Sequence, residues 1–321
     1  MRTIRIHSHG GTEVLKLEDI PVPQPAAGQA LVKVEAAGVN FIDTYHRTGL
    51  YKVPLPFALG QEGAGVVEKA GPGALGLKPG DRVAWANAPG GYAEYAVLPA
   101  DRLVPVPKGV TARQAAALLL QGMTAHYLAT STHSLQRGET CLVHAAAGGV
   151  GGLLVQIAKL RGARVIASVG SEEKAAIARE AGADEVILYR AADVAGEVKR
   201  LTGGALCRVV YDGVGKDTFH ASLAATAPRG LLVTYGNASG AVPAIEPLIL
   251  ANGSKFLTRS VLRDYIVTRE ELQGRARDLF EWLEGGKLKL RIHKEYQLAD
   301  AAQSHRDLES RNTTGKLLLI P

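Results

Sequence analysis

The stretch with the plainest chemical content is Leu142-Val143-His144-Ala145-Ala146-Ala147-Gly148-Gly149-Val150-Gly151-Gly152. An apolar run over residues 140–143 leads into it, and a helix-like pattern over residues 153–160 follows. Strand, glycine-rich turn and helix together cradle a pyrophosphate. Small residues let the backbone approach the phosphates, and the helix N-terminus offers unpaired N–H groups at the positive end of its dipole. The spacing departs from G-x-G-x-x-G, because Ala146 takes the first glycine's place in Ala146-x-Gly148-x-x-Gly151. The tip of the second strand bears on which dinucleotide is held. Val169-Gly170-Ser171 carries no acid for a ribose 2′-hydroxyl, Ser171 is a good helix N-cap, and Lys174 follows in the first turn. A cation there opposes the helix dipole unless an anion lies near. Glu172 or Glu173 is an alternative acid, and a solvated surface lysine is the plainer reading of Lys174. Weighed together, these residues predict NADPH rather than NADH.

The elements that must carry these residues form an α/β chain. With 321 residues, two domains are expected. Hydrophobic residues make up 46% and charged residues 21%, as in ordinary globular proteins. Neither a secretory signal nor a membrane span of about eighteen apolar residues is expected. The two cysteines, Cys141 and Cys207, fall in predicted strands and are read as buried free thiols in a reducing cytoplasm. The net charge of +6 is spread along the chain and mixed with acids, with no basic cluster interleaved with aromatics. That predicts attraction for an anionic cofactor and no nucleic-acid partner.

In chain order, short strands are expected over residues 3–6, 30–37, 64–69, 82–86 and 92–97. Pro- and Gly-containing turns separate them and suggest a partly open barrel. A helix is expected over residues 111–129. Strands over 140–145, 164–169, 185–188, 207–211, 230–235 and 256–258 then alternate with helices near 149–161, 171–181, 193–201 and 218–224. This is the pattern of a doubly wound, six-stranded parallel sheet. Helices over 269–284 and near 299–308 and a strand over 316–320 close the chain, and this tail is expected to return to the first domain.

The runs Gly38-Val39-Asn40-Phe41-Ile42-Asp43-Thr44-Tyr45 and Gly60-Gln61-Glu62-Gly63-Ala64-Gly65 resemble the zinc-free quinone oxidoreductases of the medium-chain dehydrogenase/reductase superfamily, the zeta-crystallin-like branch. So do residues 144–151, Val209-Val210-Tyr211-Asp212-Gly213-Val214-Gly215, Gly236-Asn237-Ala238-Ser239-Gly240 and Glu309-Ser310-Arg311-Asn312-Thr313-Thr314-Gly315-Lys316. The resemblance runs from residue 9 to the end. It implies a GroES-like β-rich catalytic domain over residues 1–122, a Rossmann NADPH-binding domain over 123–262, and a return to the catalytic domain over 263–321.

Against the alcohol-dehydrogenase branch, Asn40 stands for a cysteine ligand, Gln61 for a histidine and Gln121 for a second cysteine, with Glu62 kept. One carboxylate among amides is no catalytic zinc site, so no metal is expected. The resemblance then implies NADPH:quinone reduction by direct hydride transfer. A reductase of α,β-unsaturated carbonyls, or a non-catalytic crystallin or RNA-binding role, is the alternative. Asn40, Tyr45, Tyr51 and Gln61 would line the substrate cleft. Phe41, Ile42, Asp43, Thr44 and Tyr45, together with Tyr127, would contact the cofactor. Gly148, Gly149, Val150 and Gly151 would hold its pyrophosphate. Gly170, Ser171, Lys174 and Tyr189 would meet the 2′-phosphate, joined by Gly213, Tyr235, Gly236, Asn237 and Arg311 elsewhere on the cofactor. A cytoplasmic homodimer, paired through residues 248–261, is also implied.

Overall fold

Six apolar runs form one all-parallel sheet in the order Glu185–Leu188, Arg164–Val169, Thr140–His144, Cys207–Asp212, Thr226–Thr234, Phe256–Arg259. This is the expected six-stranded arrangement. Its central strands read as unbroken apolar stretches because helices cover both faces: Leu142, Val143, Ile166, Val210 and Leu232 are fully buried. The helices Gly149–Leu160, Glu172–Glu180, Val194–Leu201 and Phe219–Ala225 alternate with the strands. The loops after the strands' carboxyl ends therefore gather on one edge of the sheet, which is where open parallel sheets bind ligands.

The computed structural model describes residues Met1–Pro321, and they divide into two units. The parallel sheet lies in Thr124–Asp264 with Gly286–Lys289; the other unit is Met1–Met123, Tyr265–Gly285 and Leu290–Pro321. No helix is long and apolar enough to cross a membrane.

The other unit is built on the eleven-residue strand Gln29–Val39. It pairs antiparallel with Glu62–Ala70, Tyr95–Pro99 and the closing strand Lys316–Ile320. Register shifts between Leu31 and Val32 and between Val34 and Ala36 let it bend around a core of Val32, Val67, Val83 and Trp85. Among the elements that depart from the sequence expectation are the strands Lys16–Asp19 and Ile292–Gln297 and the helix Phe41–Thr48. The first two are edge strands with mostly exposed side chains, so no apolar alternation marks them. Apart from Arg47, its residues (Phe, Ile, Asp, Thr, Tyr and His) are not strong helix formers. Its ends define it instead. Asn40 is an extended N-cap whose N–H donates to Asp43 Oδ2 at 2.9 Å, and Gly49 closes the helix at φ +80°.

Candidate active site

Gly148 is the extended N-cap of the Gly149–Leu160 helix, and no side chain caps that terminus. The turn before it is tight. Ala145 is left-handed at φ +51°, and Gly148 N–H donates to Ala145 O at 2.8 Å. A Cβ on Gly151 would sit 2.3 Å from Ala145 O, so only glycine lets the helix seat against the strand's end. An uncapped helix start with Gly149 and Val150 in its first turn is an arrangement able to receive an anion.

The next strand end gathers Gly170, Ser171, Lys174 and Tyr189. Ser171 Oγ accepts from Lys174 N at 3.4 Å, capping the Glu172–Glu180 helix. A Cβ on Gly170 would lie 2.8 Å from the Tyr189 hydroxyl, which places that ring across the strand tip, and Tyr189 is 39% exposed. Burial, and then the guanidinium of Arg190, hold the Lys174 ammonium below its ordinary pKa. Arg190 was not singled out from sequence; its place directly after the Tyr189 strand tip was the available signal. Two cations that oppose each other's charge here fit a phosphate dianion.

The loops after the fourth and fifth strands lie against each other: a Cβ on Gly236 would meet Gly213 O at 2.3 Å, and Gly213 faces the Tyr235 ring. Asn237 follows, half-buried. Beneath them runs a buried polar row. Ser222 Oγ donates to Asp212 Oδ2 at 2.6 Å, so His144 Nε2–H donates to Ser222 Oγ at 2.9 Å and Nδ1 accepts from Ser168 Oγ at 2.8 Å. Burial lowers the His144 pKa, against the nearby Asp212 charge. Asp212 Oδ1 also accepts from Val214 N and Gly215 N, which fixes the Gly213 loop. These residues form a Ser-His-Asp constellation, but all four are buried and tie strand ends together. Tyr127, expected to touch the cofactor, is buried at the end of its helix, and Arg311 is exposed at φ +59°.

In the β-rich unit, Phe41 and Tyr45 stand one helical turn apart with ring centroids at 6.2 Å, and Tyr51 meets Tyr45 edge-on at 5.2 Å. Ile42 is half-buried beside them. Asn40, Asp43 and Thr44 turn inward. Thr44 Oγ1 donates to Phe41 O at 2.8 Å. The fully buried Asp43 carboxylate accepts from Asn40 N, Gln61 N (3.0 Å) and Tyr92 Oη (3.0 Å). Burial pushes it up to about 7, against those donors and the Lys316 charge. Gln61 is held through its backbone N–H and is 6% exposed.

Asn40 spends both amide hydrogens, on Gly38 O at 3.2 Å and Glu62 Oε2 at 2.9 Å, while its oxygen accepts from Lys316 Nζ at 2.7 Å. The buried carboxamide of Asn40 and side chain of Asp43 are thus engaged inside the domain rather than presented to a ligand, the first by Gly38, Glu62 and Lys316 and the second by the helix cap, Gln61 and Tyr92. The same geometry decides the fit of a zinc ion. Glu62 already bonds an ammonium, two further positions are amides, and no three His, Cys, Asp or Glu side chains stand together to hold a metal. The residues do not fit a catalytic zinc.

A β-rich domain joined to a glycine-turned parallel sheet defines a nucleotide-dependent dehydrogenase class. Two family models match: the alcohol dehydrogenase GroES-like domain over residues 26–108 and the zinc-binding dehydrogenase domain over 149–282. The chain is 47% identical to the quinone oxidoreductase of Pseudomonas aeruginosa, covering 100% of this chain and 99% of that one. It is 39% identical to the 2-haloacrylate reductase of a Burkholderia species, with 98% of each covered. Its structure superposes on that of Escherichia coli quinone oxidoreductase complexed with NADPH at a TM-score of 0.98, with 44% identity and 100% of both chains covered. The chain belongs to the quinone oxidoreductases of the medium-chain dehydrogenase/reductase superfamily, a family of oxidoreductases.

Proposed function

We propose that the chain is an NADPH-dependent quinone reductase that passes a hydride to its acceptor without a metal. The observation that carries the reading is the donor set around Glu62. An ammonium and amides supply no Lewis acid for an alkoxide, so the acceptor itself must spread negative charge, as a quinone does. When bound, NADPH supplies the hydride. The turn Gly148–Gly151 holds its pyrophosphate, and Ser171, Lys174 and Tyr189, with Arg190, hold the 2′-phosphate beside Gly170. Gly213, Tyr235, Gly236, Asn237 and Arg311 complete the cofactor contacts, along with Phe41, Ile42 and the backbone of Asp43 and Thr44. Phe41, Tyr45 and Tyr51 give a flat acceptor an aromatic wall, with Gln61 and Asn40 behind it. The Tyr45 hydroxyl bonds a quinone oxygen, and the proton comes from it or from water. Residues 1–122 and 263–321 act as the catalytic domain and 123–262 as the cofactor domain.

The test is a paired titration of NADPH and NADH followed by turnover with a panel of quinones and an enal. NADPH binds more tightly, and Lys174→Ala weakens it by about tenfold or more while leaving NADH unchanged, the loss of one charge-assisted phosphate bond. Equal affinity for both cofactors sinks the phosphate site. Enal reduction without quinone turnover moves the substrate to activated alkenes, the reading that the 2-haloacrylate reductase relative favours.

The sheet's sixth strand, Phe256–Arg259, is an edge, and Phe256 is 61% and Leu248 76% exposed. Such a face supports a homodimer built through it. Phe256→Asp then gives a monomer by light scattering; an unchanged mass rejects this interface. Two buried free cysteines support a reducing, cytoplasmic setting, and the dispersed net charge of +6 supports the absence of a nucleic-acid partner.

A further inference from the structure

Where the zinc-dependent branch places its metal ligands, this chain holds a closed triangle of side chains. Lys316 Nζ donates to Glu62 Oε2 at 2.5 Å and to Asn40 Oδ1 at 2.7 Å, and Asn40 Nδ2 donates to the same Glu62 oxygen at 2.9 Å. The remaining Glu62 oxygen accepts from Leu120 N at 2.6 Å. The Lys316 and Glu62 side chains are 2% and 0% exposed.

We propose that Lys316 and Glu62 are positioning residues of the reductase, an ion pair standing in the metal's place that fixes Asn40 and, through it, the aromatic wall and Gln61. The kinetic part of this proposal rests on the quinone-reductase reading above; the structural part does not.

Three observations carry it. First, the backbone makes room for the pair. A Cβ on Gly38 would lie 2.2 Å from Glu62 Oε2, 2.6 Å from Ala116 O and 2.7 Å from Lys316 Cε. Any other residue there expels the pair, so its presence is built into the strand. Second, the pair leads to the site by direct bonds. Asn40 is the cap of the Phe41–Thr48 helix that carries Phe41 and Tyr45, and its N–H donates to Asp43, which also accepts from Gln61 N. Lys316 reaches Asn40 and Glu62 from 276 and 254 positions away, pinning the closing strand to this cap. Third, the pair is wholly buried, which makes it costly to keep. Two buried charges give up so much hydration that replacing both with uncharged groups of similar size is often neutral, whereas removing one leaves the other stranded. A pair retained at that cost needs another role, and holding the Asn40 carboxamide in one orientation supplies it.

The contrast between single and double replacement makes the test. Lys316→Met alone strands a buried Glu62 and is expected to unfold or melt far below the parent. Lys316→Met combined with Glu62→Gln removes both charges and keeps the volume, so its melting temperature stays near the parent's. The double variant is expected to lose about tenfold or more in kcat with quinone, because the wall and Gln61 shift from their working geometry. The pyrophosphate turn and the 2′-phosphate site lie in the other unit and are untouched, so the loss in kcat exceeds any rise in KM for NADPH. Lys316→Arg, which keeps the charge, recovers most of kcat. In the same double variant, hydrogen exchange over residues 38–48 and 60–62 speeds up about tenfold or more while the parallel sheet is unchanged. A well-folded double variant with parental kcat and parental exchange overturns the proposal. If the parent itself turns over no quinone, the functional reading fails, and the exchange measurement alone decides the positioning role.

Discussion

Gly151→Ala is expected to weaken NADPH binding by about a hundredfold or more, while Gly152→Ala, one residue on, leaves it within about twofold. Helix propensity predicts the opposite sign for both, since alanine improves on glycine by about 0.8–1 kcal/mol inside a helix. At position 151 sterics win. The new Cβ would stand 2.3 Å from Ala145 O and 2.9 Å from Ala145 C and Ala146 Cα, all backbone atoms that cannot swing aside. The helix must withdraw from the strand end, taking its uncapped N-terminus away from the phosphates. At position 152 the nearest atom is Ala146 O at 3.5 Å, an ordinary contact, and propensity is free to act. Calorimetric titration with NADPH of both variants, alongside their melting temperatures, separates lost binding from lost folding. Equal NADPH affinity in the two variants would reject this turn as the pyrophosphate site.

The parallel sheet was legible because its strands are buried on both faces. Runs such as Thr140–His144 and Arg164–Val169 then have no polar face to interrupt them, and short glycine-bearing turns mark their ends. The edge strand Ile292–Gln297 was not legible, because among its six residues only Tyr296 is buried and nothing alternates. The helix Phe41–Thr48 escaped for a different reason. Most of its residues have weak propensity, and the bonds that define it, the cap bond from Asn40 N to Asp43 and the tertiary bond from Gln61 N to Asp43, appear only in the folded chain.

The same limit governs the site. Spacing along a strand-turn-helix identifies the glycine turn, a local feature. The direction of a polar side chain is not local. Asn40 and Asp43 are the residue types expected beside a ligand, yet one faces Lys316 and Glu62 and the other faces Tyr92, partners far away in sequence. Residue type told that these positions are polar. Tertiary pairing decided whom they serve.

That inward-facing row carries the second large expected effect, a change in how stability depends on pH. Arg47 Nη1 donates to His305 Nδ1 at 3.1 Å, so the proton of the neutral ring sits on Nε2 and points at Tyr92 Oη, 3.2 Å away, while Tyr92 donates to Asp43. Glu309 pairs with Arg47, and Lys316 acts on Asp43 from the other side. Burial, and then the Arg47 charge, push His305 down to about 3, whereas burial pushes Asp43 up to about 7. The two shifts act in opposite directions. Between about pH 4 and 7 the folded chain holds a proton on Asp43 that the unfolded chain has released, so this group's contribution falls as pH rises. Between about pH 3 and 6.5 the unfolded chain holds a proton on His305 that the folded chain lacks, so that contribution grows as pH rises. In the shared window the two cancel, and the pair leaves the parent's stability nearly flat. His305→Gln removes the rising term. Across pH 4 to 7 that variant should lose up to about 4 kcal/mol of stability, the worth of the Asp43 shift of about three pKa units. Asp43→Asn removes the falling term, and its stability should climb over pH 3 to 6.5 instead. Urea midpoints of the parent and both variants, measured at half-unit steps of pH, test this directly. Three parallel curves would show that Asp43 and His305 keep their ordinary pKa values in the fold, and opposite slopes in the two variants would show that one buried row balances two shifted groups.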